Sequence, residues 1–413
     1  MKNARSKIHR YTVNLKNKLM EIRVKKEVFL PYDEKGRPVM PCFITYISNE
    51  KPILMHRYSK EYYSDGYDDF VDIFSYDNGK TWTQPILHYK SIETTQGKIR
   101  YAESAGFFDF DSRKLITITD KKLYPKDHLD VDLPFWVVYE DYEPEQNKWS
   151  GEIPLNFNLQ GGIAVSFCRP IKTSKGRIVF PAQTWYTDEN GKPIHFKGCW
   201  SPAGAIVHIL GDYKNDGTIE WKLSKILYPD LEKTSRGFYE PTIVELKNGS
   251  FAMILRGDNS MFPEKRGYKW VSFSSDHCET WTQPIPLGCD KGEPIESSST
   301  GSALFRSITN GKIYWIGNLC IEGIRPNGNW PRTPLVIAEI NEEPFVIKRD
   351  TIRVIDRQQP GEVPQVQHSN FRFYQDRETG EIVLFLSRLG ERGYENNKWM
   401  LADYYRYRIE IID

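Results

Sequence analysis

The chain has 413 residues, and its 56 basic and 55 acidic side chains leave a formal net charge of +1. This balance gives no electrostatic field that would steer the whole molecule onto nucleic acid or an acidic membrane, and no stretch is apolar enough to span a bilayer. Short alternating apolar runs such as 177–181 and 382–386 predict strands, whereas amphipathic helical periodicity is scarce. With 29 glycines and 25 prolines to mark turns, the sequence predicts an all-β protein.

The first 26 residues are locally basic, with nine lysines and arginines. They predict a solvated leader or a first strand, with a nucleic-acid arm as the less favoured alternative. They lack the apolar core and the small-residue cleavage site of a secretory signal, so we expect a cytoplasmic protein. No linker rich in Pro, Gly or Ser divides the rest of the chain, and we predict a single domain over residues 27–413.

The six cysteines are scattered, and none belongs to a C-x-x-C pair. Because a reducing compartment disfavours disulfides and the spacing does not fit a metal site, we expect most of them to be small buried apolar side chains. His56, His195 and His208 likewise lack the spacing of a metal ligand set. We therefore predict no metal and no cofactor.

One segment occurs twice: FSYDNGKTWTQP at residues 74–85 returns without a gap as FSSDHCETWTQP at 273–284. Asp77, placed after a strand, is expected to accept hydrogen bonds from backbone amides further along and so to close a turn. Gly79 supplies a positive φ at the tip, and Trp82 is expected to pack beneath the hairpin. In the second copy Cys278 replaces the glycine, which predicts strain or a different turn type. We expect a structural role for these residues and no catalysis.

The distance between the two copies sets the number of repeat units. Ser75 and Ser274 lie 199 residues apart, which corresponds to about three four-stranded blades if a blade with its loops takes roughly 65 residues. Residues 27–413 would then form about six blades, with five large blades as the alternative. The doubled box, the aromatic-rich hairpins and the size together resemble the sialidase (neuraminidase) superfamily of six-bladed β-propellers with Asp-box, or BNR, repeats. Asp boxes also occur in propellers that are not enzymes, so they indicate fold and not function.

A second segment carries the functional part of the resemblance. Residues 239–256, YEPTIVELKNGSFAMILR, are similar to the sialidase hairpin in which a glutamate starts one strand and an arginine ends the next. Both ends of such a hairpin lie at one rim, so we expect Glu240 and Arg256 to face one pocket near the propeller axis. The resemblance implies that Glu240 polarises the nucleophile and that Arg256 grips a substrate carboxylate. A structural ion pair is the alternative.

Further substrate-binding residues are expected in three other segments. Arg332, in WPRTPLVIA at 330–338, matches another carboxylate-binding arginine of the family, with a loop-bracing arginine as the alternative. Asn318 precedes it in a loop rich in Gly and Asn. Arg169 and Gln183 occupy expected strand ends of a middle blade, where they would be able to hydrogen-bond a sugar.

The resemblance also implies an acid in the loop before the first Asp box, after a strand that ends in arginine. Residues 53–57, ILMHR, supply that strand, and its last residue, Arg57, becomes a candidate site residue. Asp65, Asp68 or Asp69 would be the acid, and we choose Asp65. A further pocket carboxylate of the family is matched by Glu103.

At two positions the chain departs from the family. Where sialidases have an Arg-Ile-Pro sequence with the first carboxylate-binding arginine, residues 39–41 read VMP, so that arginine is missing unless Arg37 or Arg57 replaces it. Where the family has its nucleophilic tyrosine in the last blade, the comparable segment reads QHSNF. His368 in this segment is a candidate general base, with a satisfied loop histidine as the alternative. Asn370 is a candidate sugar ligand.

Together these residues predict an exo-acting glycoside hydrolase that removes a terminal acidic or deoxy sugar from a glycan. The expected partner is a carbohydrate substrate, and we expect neither nucleic acid nor a membrane as a partner. A lyase of uronic-acid polymers is the first alternative, because arginines would neutralise the carboxylate while a His or Tyr abstracts the neighbouring proton. A non-catalytic propeller that binds glycans or proteins is the second.

Overall fold

The computed structural model of the protein describes residues 20–320 and 323–412. Within these ranges the strands form six antiparallel sheets, each of four to six strands. Each sheet is one blade, and the blades follow one another along the chain around a central axis. The predicted all-β, six-bladed propeller is confirmed, and the five-bladed alternative is excluded.

The strands are numbered in chain order. Blade one contains β2 (Val39–Tyr46), β3 (Leu54–Lys60), β4 (Phe70–Ser75) and β5 (Ile86–Tyr89), and blade two contains β6 (Ile92–Thr94), β7 (Gly97–Asp109), β8 (Lys114–Pro125), β9 (Trp136–Glu143), β10 (Lys148–Trp149) and β11 (Ile153–Leu155). Blade three contains β12 (Ile171–Lys172), β13 (Ile178–Trp185), β14 (Gly204–Tyr213) and β15 (Ile219–Leu223), and blade four contains β16 (Tyr239–Glu245), β17 (Phe251–Arg256), β18 (Lys269–Ser274) and β19 (Ile285–Pro286). Blade five contains β20 (Ala303–Arg306), β21 (Ile313–Asn318), β22 (Leu335–Glu342), β23 (Phe345–Ile347) and β24 (Arg353–Asp356), and blade six contains β25 (Arg372–Gln375), β26 (Ile382–Ser387), β27 (Tyr404–Ile412) and β1 (Glu21–Leu30). Short 3-10 turns lie in loops at Phe196–Gly198, Arg349–Thr351 and Glu395–Met400.

The ring is closed by strands from both ends of the described chain. β1 is the outermost strand of blade six and pairs antiparallel with β27, with Glu21 opposite Ile412. β1 therefore runs across the domain boundary expected between residues 26 and 27. The remainder of the expected basic leader, residues 1–19, lies outside the described residues.

The apolar core is divided among the six spaces between neighbouring blades. Each of six clusters of buried apolar side chains combines residues from two adjacent blades. Between blades five and six, for example, Phe305 and Tyr314 pack with Phe373 and Leu384. Because the blades pack against each other, no single core fills the axis. The innermost strands are left to line cavities at the centre of the ring.

The repeated segments form the same turn between the third and fourth strands of blades one and four, three blades apart as predicted. Asp77 accepts hydrogen bonds from the Ser75 hydroxyl (2.9 Å), the Thr81 amide (2.8 Å) and the Thr81 hydroxyl (2.6 Å). Asp276 accepts the equivalent set in the second copy. Cys278 has φ +68°, where the glycine of the first copy has +79°. The turn type is unchanged, and the second copy holds a non-glycine residue in the left-handed region at a cost of about 1 kcal/mol.

Candidate active site

A cavity of about 510 Å³ opens at one end of the propeller axis, a size within the range of roughly 300–1,000 Å³ typical of small-molecule sites. The beginnings of inner strands and the loops before them line it, with Met40 from β2, Glu103 from β7 and Asn370 just before β25. Phe167 and Arg372 line both this cavity and a smaller one at the other end of the axis. These two side chains form the floor of a blind pocket, which we call the upper pocket.

The hairpin of β16 and β17 brings Glu240 and Arg256 to one wall of the upper pocket. A β-bulge near the start of β16 gives Glu240 a φ of +48°, and its backbone amide donates to Oε1 of Gln183 at 2.9 Å. Arg256 Nη1 donates to Glu240 Oε1 at 2.5 Å, while Nε and Nη2 donate to Ser299 (2.9 Å) and Asn329 (3.0 Å). Arg256 is therefore engaged on all its nitrogens, and its ion pair fixes the position of the Glu240 side chain beside it.

Arg332 lies in the same pocket with more of its hydrogen-bonding capacity unused. Its Nη1 donates to Gln367 Oε1 (3.0 Å) and to the Ser369 hydroxyl (3.3 Å), whereas its buried Nε has no partner among the described residues. Burial and, next, the positive charge of Arg256 lower the pKa of Arg332 to about 10. The guanidinium therefore stays charged at neutral pH and can accept an anionic ligand.

Two carboxylates from one loop of blade one face this group. Glu61 directly follows β3, is 3% exposed, and accepts a hydrogen bond from the Asp65 amide at 3.2 Å. Burial and, next, the charge of Asp65 raise the pKa of Glu61 well above its ordinary value. Asp65 itself is exposed at the rim, with φ +59°. Burial and this neighbouring charge both favour the protonated form of Glu61.

Glu103 forms the link between the wall and the floor of the pocket. Its Oε2 accepts hydrogen bonds from Arg372 Nη2 and from the Phe167 amide, both at 2.7 Å. The Tyr67 hydroxyl lies 3.4 Å from Oε1. Burial raises the pKa of Glu103, and the charge of Arg372 opposes this rise. The ion pair of Glu103 and Arg372, together with the backbone amide of Phe167, thus holds the floor of the pocket in place.

The arginines of the upper pocket differ in their counter-charges. Arg256 and Arg372 are paired with the carboxylates described above, and Arg236 Nη1 lies 4.0 Å from Asp258. In the described parts of the chain no carboxylate comes within 4 Å of Arg332. Arg332 is therefore the pocket arginine whose charge is left for a ligand.

A lysine and several aromatic rings complete the wall. Lys122 Nζ donates to the Leu133 carbonyl at 2.7 Å and lies 4.3 Å from the centre of the Phe135 ring. Burial lowers the pKa of Lys122 to about 8. Large aromatic side chains suited to stacking on a sugar face occupy much of the remaining lining, namely Trp185, Trp200, Tyr239, Trp330, Tyr394 and Trp399.

Within residues 20–320 and 323–412 no group of three or more His, Cys, Asp or Glu side chains is arranged to hold a metal ion. No helix in this part of the chain is long and apolar enough to cross a membrane.

No family model and no curated protein matches the sequence. Solved structures do match. A mutant of the NanB sialidase from Streptococcus pneumoniae is 14% identical with a TM-score of 0.58, over 96% of this chain and 71% of that one. The intramolecular trans-sialidase from Ruminococcus gnavus is 14% identical with a TM-score of 0.56 (93% and 96% covered), and the GH93 α-L-arabinofuranosidase of Fusarium graminearum is 11% identical with a TM-score of 0.51 (93% and 96% covered). The fold is a six-bladed propeller similar to that of these enzymes. At these identities the likeness establishes the fold alone.

Two arginines expected to replace the missing one do not reach the upper pocket. Arg57 is fully buried and paired with Asp72 at 2.7 and 2.9 Å, with its guanidinium 5.0 Å from the Trp149 ring. The strand expected to end at Arg57 continues to Lys60, so this side chain lies at mid-height in the blade. Arg37 pairs with Asp33 outside the pocket.

Three other expected site residues also lie away from the upper pocket. His368 is fully buried behind it, accepts a hydrogen bond from Arg388 at 2.9 Å, and has a pKa lowered to about 4 by burial. Asn318 is buried and donates to the carbonyl oxygens of Arg332 (3.2 Å) and His368 (3.2 Å), bracing the backbone there. Arg169 lines the smaller cavity at the other end of the axis. The geometry gives none of them contact with a ligand in the upper pocket.

The structure nevertheless brings most of the expected residues together. Seven line the upper pocket, namely Asp65, Glu103, Gln183, Glu240, Arg256, Arg332 and Asn370. Sequence reasoning missed Glu61 and Arg372. Arg372 is the first residue of β25 and lies two residues after Asn370, but Asn370 has φ +58°, so the alternation of side chains along a strand gave no signal for Arg372. Glu61 was hidden by the assumption that its strand ended at residue 57.

Proposed function

We propose that the protein is an exo-acting glycoside hydrolase that removes a terminal acidic sugar from a glycan. The observation that carries the proposal is Arg332, a charged guanidinium without a carboxylate partner among the described residues, in a pocket that also holds four carboxylates. A sugar carboxylate would supply its counter-ion in bidentate geometry through Nε and Nη2. Arg256, next to it, adds positive charge at the same wall.

The pair of Glu61 and Asp65 is suited to protonate the leaving-group oxygen. A general acid must hold its proton near the working pH, and burial together with a neighbouring carboxylate raises the pKa of Glu61 in that direction. Asp65 at the rim lies where the rest of the glycan would leave the pocket. We assign the proton to Glu61, the member of the pair whose pKa is raised.

Other carboxylates in the pocket would stabilise the positive charge that develops on the sugar. Glycoside cleavage passes through an oxocarbenium-like transition state, which gains from nearby negative charge. Glu240 and Glu103 are held in fixed positions by Arg256 and Arg372, so they need little reorganisation as the charge forms. The blind floor supports exo action, since a closed pocket admits a chain end and not the middle of a polymer.

The test compares acidic glycosides that have different leaving groups. For a sialoside or uronide with a sugar leaving group, Glu61→Gln or Asp65→Asn is expected to lower kcat/KM by about 10²- to 10⁴-fold. For the 4-methylumbelliferyl glycoside the loss should be much smaller, because that leaving group needs little protonation. Glu264→Gln, at an exposed glutamate outside the pocket, is the matched control and should keep wild-type rates. Hydrolysis of neutral glycosides only, or wild-type rates in both pocket variants, would contradict the proposal.

One observation favours a uronate lyase as a second candidate. Lys122 lines the pocket with a pKa lowered to about 8, near the range needed for a base that abstracts the proton next to a carboxylate. In such a reaction the base takes the proton from C5, the C–O bond at C4 breaks as the C4–C5 double bond forms, and the oxygen leaves with the other part of the glycan and takes up a proton. The product would carry a carbon–carbon double bond that absorbs in the ultraviolet. Absorbance during turnover of an oligouronide decides between the two reactions.

A further inference from the structure

The propeller axis holds a second cavity, of about 270 Å³, at the end opposite the upper pocket. Along β2, residues 40–42 line the upper pocket and residues 43–46 line the second cavity. Along β7 the same division falls between residues 102–103 and 106–107. We call this second space the lower cavity. It is separated from the upper pocket by Phe167 and Arg372, which line both.

Arginines give the lower cavity an unbalanced positive charge. Four arginines line it, and no aspartate or glutamate does so among the described residues. Arg306 and Arg372 each form an ion pair with a glutamate, at 2.9 and 2.7 Å. The Arg377 guanidinium donates only to the backbone carbonyl of Ser48 (2.8 Å), and the Arg169 guanidinium makes no hydrogen bond within the part of the chain that the structure describes. Two guanidinium groups in this cavity therefore lack a counter-ion.

Aromatic rings hold these two cations in place. The Arg169 guanidinium lies 5.0 Å from the centre of the Phe373 ring. Arg377 lies 4.0 Å from the Tyr46 ring and 4.7 Å from the ring of Phe110, which is 49% exposed. Burial lowers the pKa of Arg169 to about 10 and also lowers the pKa of Arg377, so their charges are partly desolvated but still present at neutral pH. Cation–π contacts compensate this desolvation only in part.

We propose that the lower cavity binds a small organic anion, a carboxylate carried on a single apolar ring. The carboxylate would pair with Arg169, whose guanidinium has no hydrogen-bond partner among the described residues, and the ring would pack against the phenylalanines around it. A volume of about 270 Å³ lies just below the range of roughly 300–1,000 Å³ for drug-sized ligands and admits one ring but not an oligosaccharide. The lining thus differs from that of the upper pocket, which includes four carboxylates and four tryptophans.

Ligand-observed NMR titration of the full chain with benzoate tests this site. Benzyl alcohol is the neutral probe of the same shape, and inorganic phosphate is the anion without a ring. Benzoate is expected to bind at least about tenfold more tightly than either probe, and Arg169→Gln should weaken its binding by about tenfold or more. Arg332→Gln, in the upper pocket, and Arg357→Gln, at an exposed arginine that lines neither cavity, should leave benzoate binding unchanged.

Several results would overturn the proposal. Benzoate that binds no better than benzyl alcohol would remove the role of charge, and phosphate that binds as well as benzoate would remove the role of the ring. Loss of binding in Arg332→Gln with retention in Arg169→Gln would place benzoate in the upper pocket. Arg169→Lys, which keeps the positive charge with little change in size, guards against a folding defect and should bind more tightly than Arg169→Gln at an unchanged melting temperature. Equal weakening in both variants would contradict pairing with a cation at this position.

Discussion

Replacing Arg332 by glutamine should selectively remove recognition of a substrate carboxylate. Nη1 of Arg332 is used by Gln367 and Ser369, while Nε and Nη2 have no partner in the described residues. A charge-assisted hydrogen bond contributes about 1.5–3 kcal/mol, so two such bonds would contribute about 3–6 kcal/mol. Because the carboxylate gives up water on entering the pocket, we expect a net loss of about 2–4 kcal/mol. That loss corresponds to about 30- to 1,000-fold in kcat/KM.

The assay compares an acidic glycoside with its carboxamide, which has nearly the same shape and no charge. Wild type should prefer the acid, Arg332→Gln should lose the predicted factor on the acid, and the rate on the carboxamide should change little. Arg357→Gln provides the matched control, and melting temperatures verify that the variants are folded. Equal losses on the acid and the carboxamide would refute carboxylate recognition and show that Arg332 only braces the pocket.

Four further substitutions test three other parts of the structure. The pKa of Glu61 is higher in the folded chain than its ordinary 4.5, so between the two pKa values the folded state binds more protons than the unfolded state, and the free energy of unfolding falls as pH rises through this range. Glu61→Gln should therefore raise the melting temperature more above neutral pH than in mild acid. Equal shifts at both pH values would contradict this. Asp77→Ala and Asp276→Ala each remove three hydrogen bonds and should each cost about 2 kcal/mol or more in urea unfolding; a cost in only one copy would show that the turns are not equivalent. Arg57→Met leaves Asp72 buried without its guanidinium and should cost about 3–5 kcal/mol by the same measurement, while a cost below about 1 kcal/mol would speak against a structural ion pair.

The fold was predictable because its strongest signal is local. Asp77 closes the turn with Ser75 and Thr81, which are two and four positions away, so a short motif records the turn completely. The spacing of the two copies then gives the number of blades. The closure of the ring has no local signal, because the pairing of Glu21 with Ile412 joins segments from the two ends of the described chain.

The candidate site was predictable only where a hairpin fixes two residues at once. Glu240 and Arg256 begin and end paired strands, so the register alone brings them to one rim. No paired site residue fixed the position of Arg57 in this way, and its distance from the pocket rim depended on where one strand ends. A strand rises about 3.3 Å per residue, so an end that lies three residues later, at Lys60, places Arg57 about 10 Å below the rim. Glu61, the first residue after β3, lines the upper pocket where Arg57 was expected.

The charges that remain in the upper pocket determine how a carboxylate would be held there. Val39 stands where the resemblance implies the first arginine, and the residues that β2 contributes to the upper pocket, Met40 to Cys42, include no cation. Arg372 supplies a cation from blade six instead, but Glu103 already neutralises it. Arg256 is similarly committed to its own glutamate. A substrate carboxylate would therefore depend mainly on Arg332, and for this reason its substitution should have a larger effect on kcat/KM for the acidic substrate than substitution of either of the paired arginines.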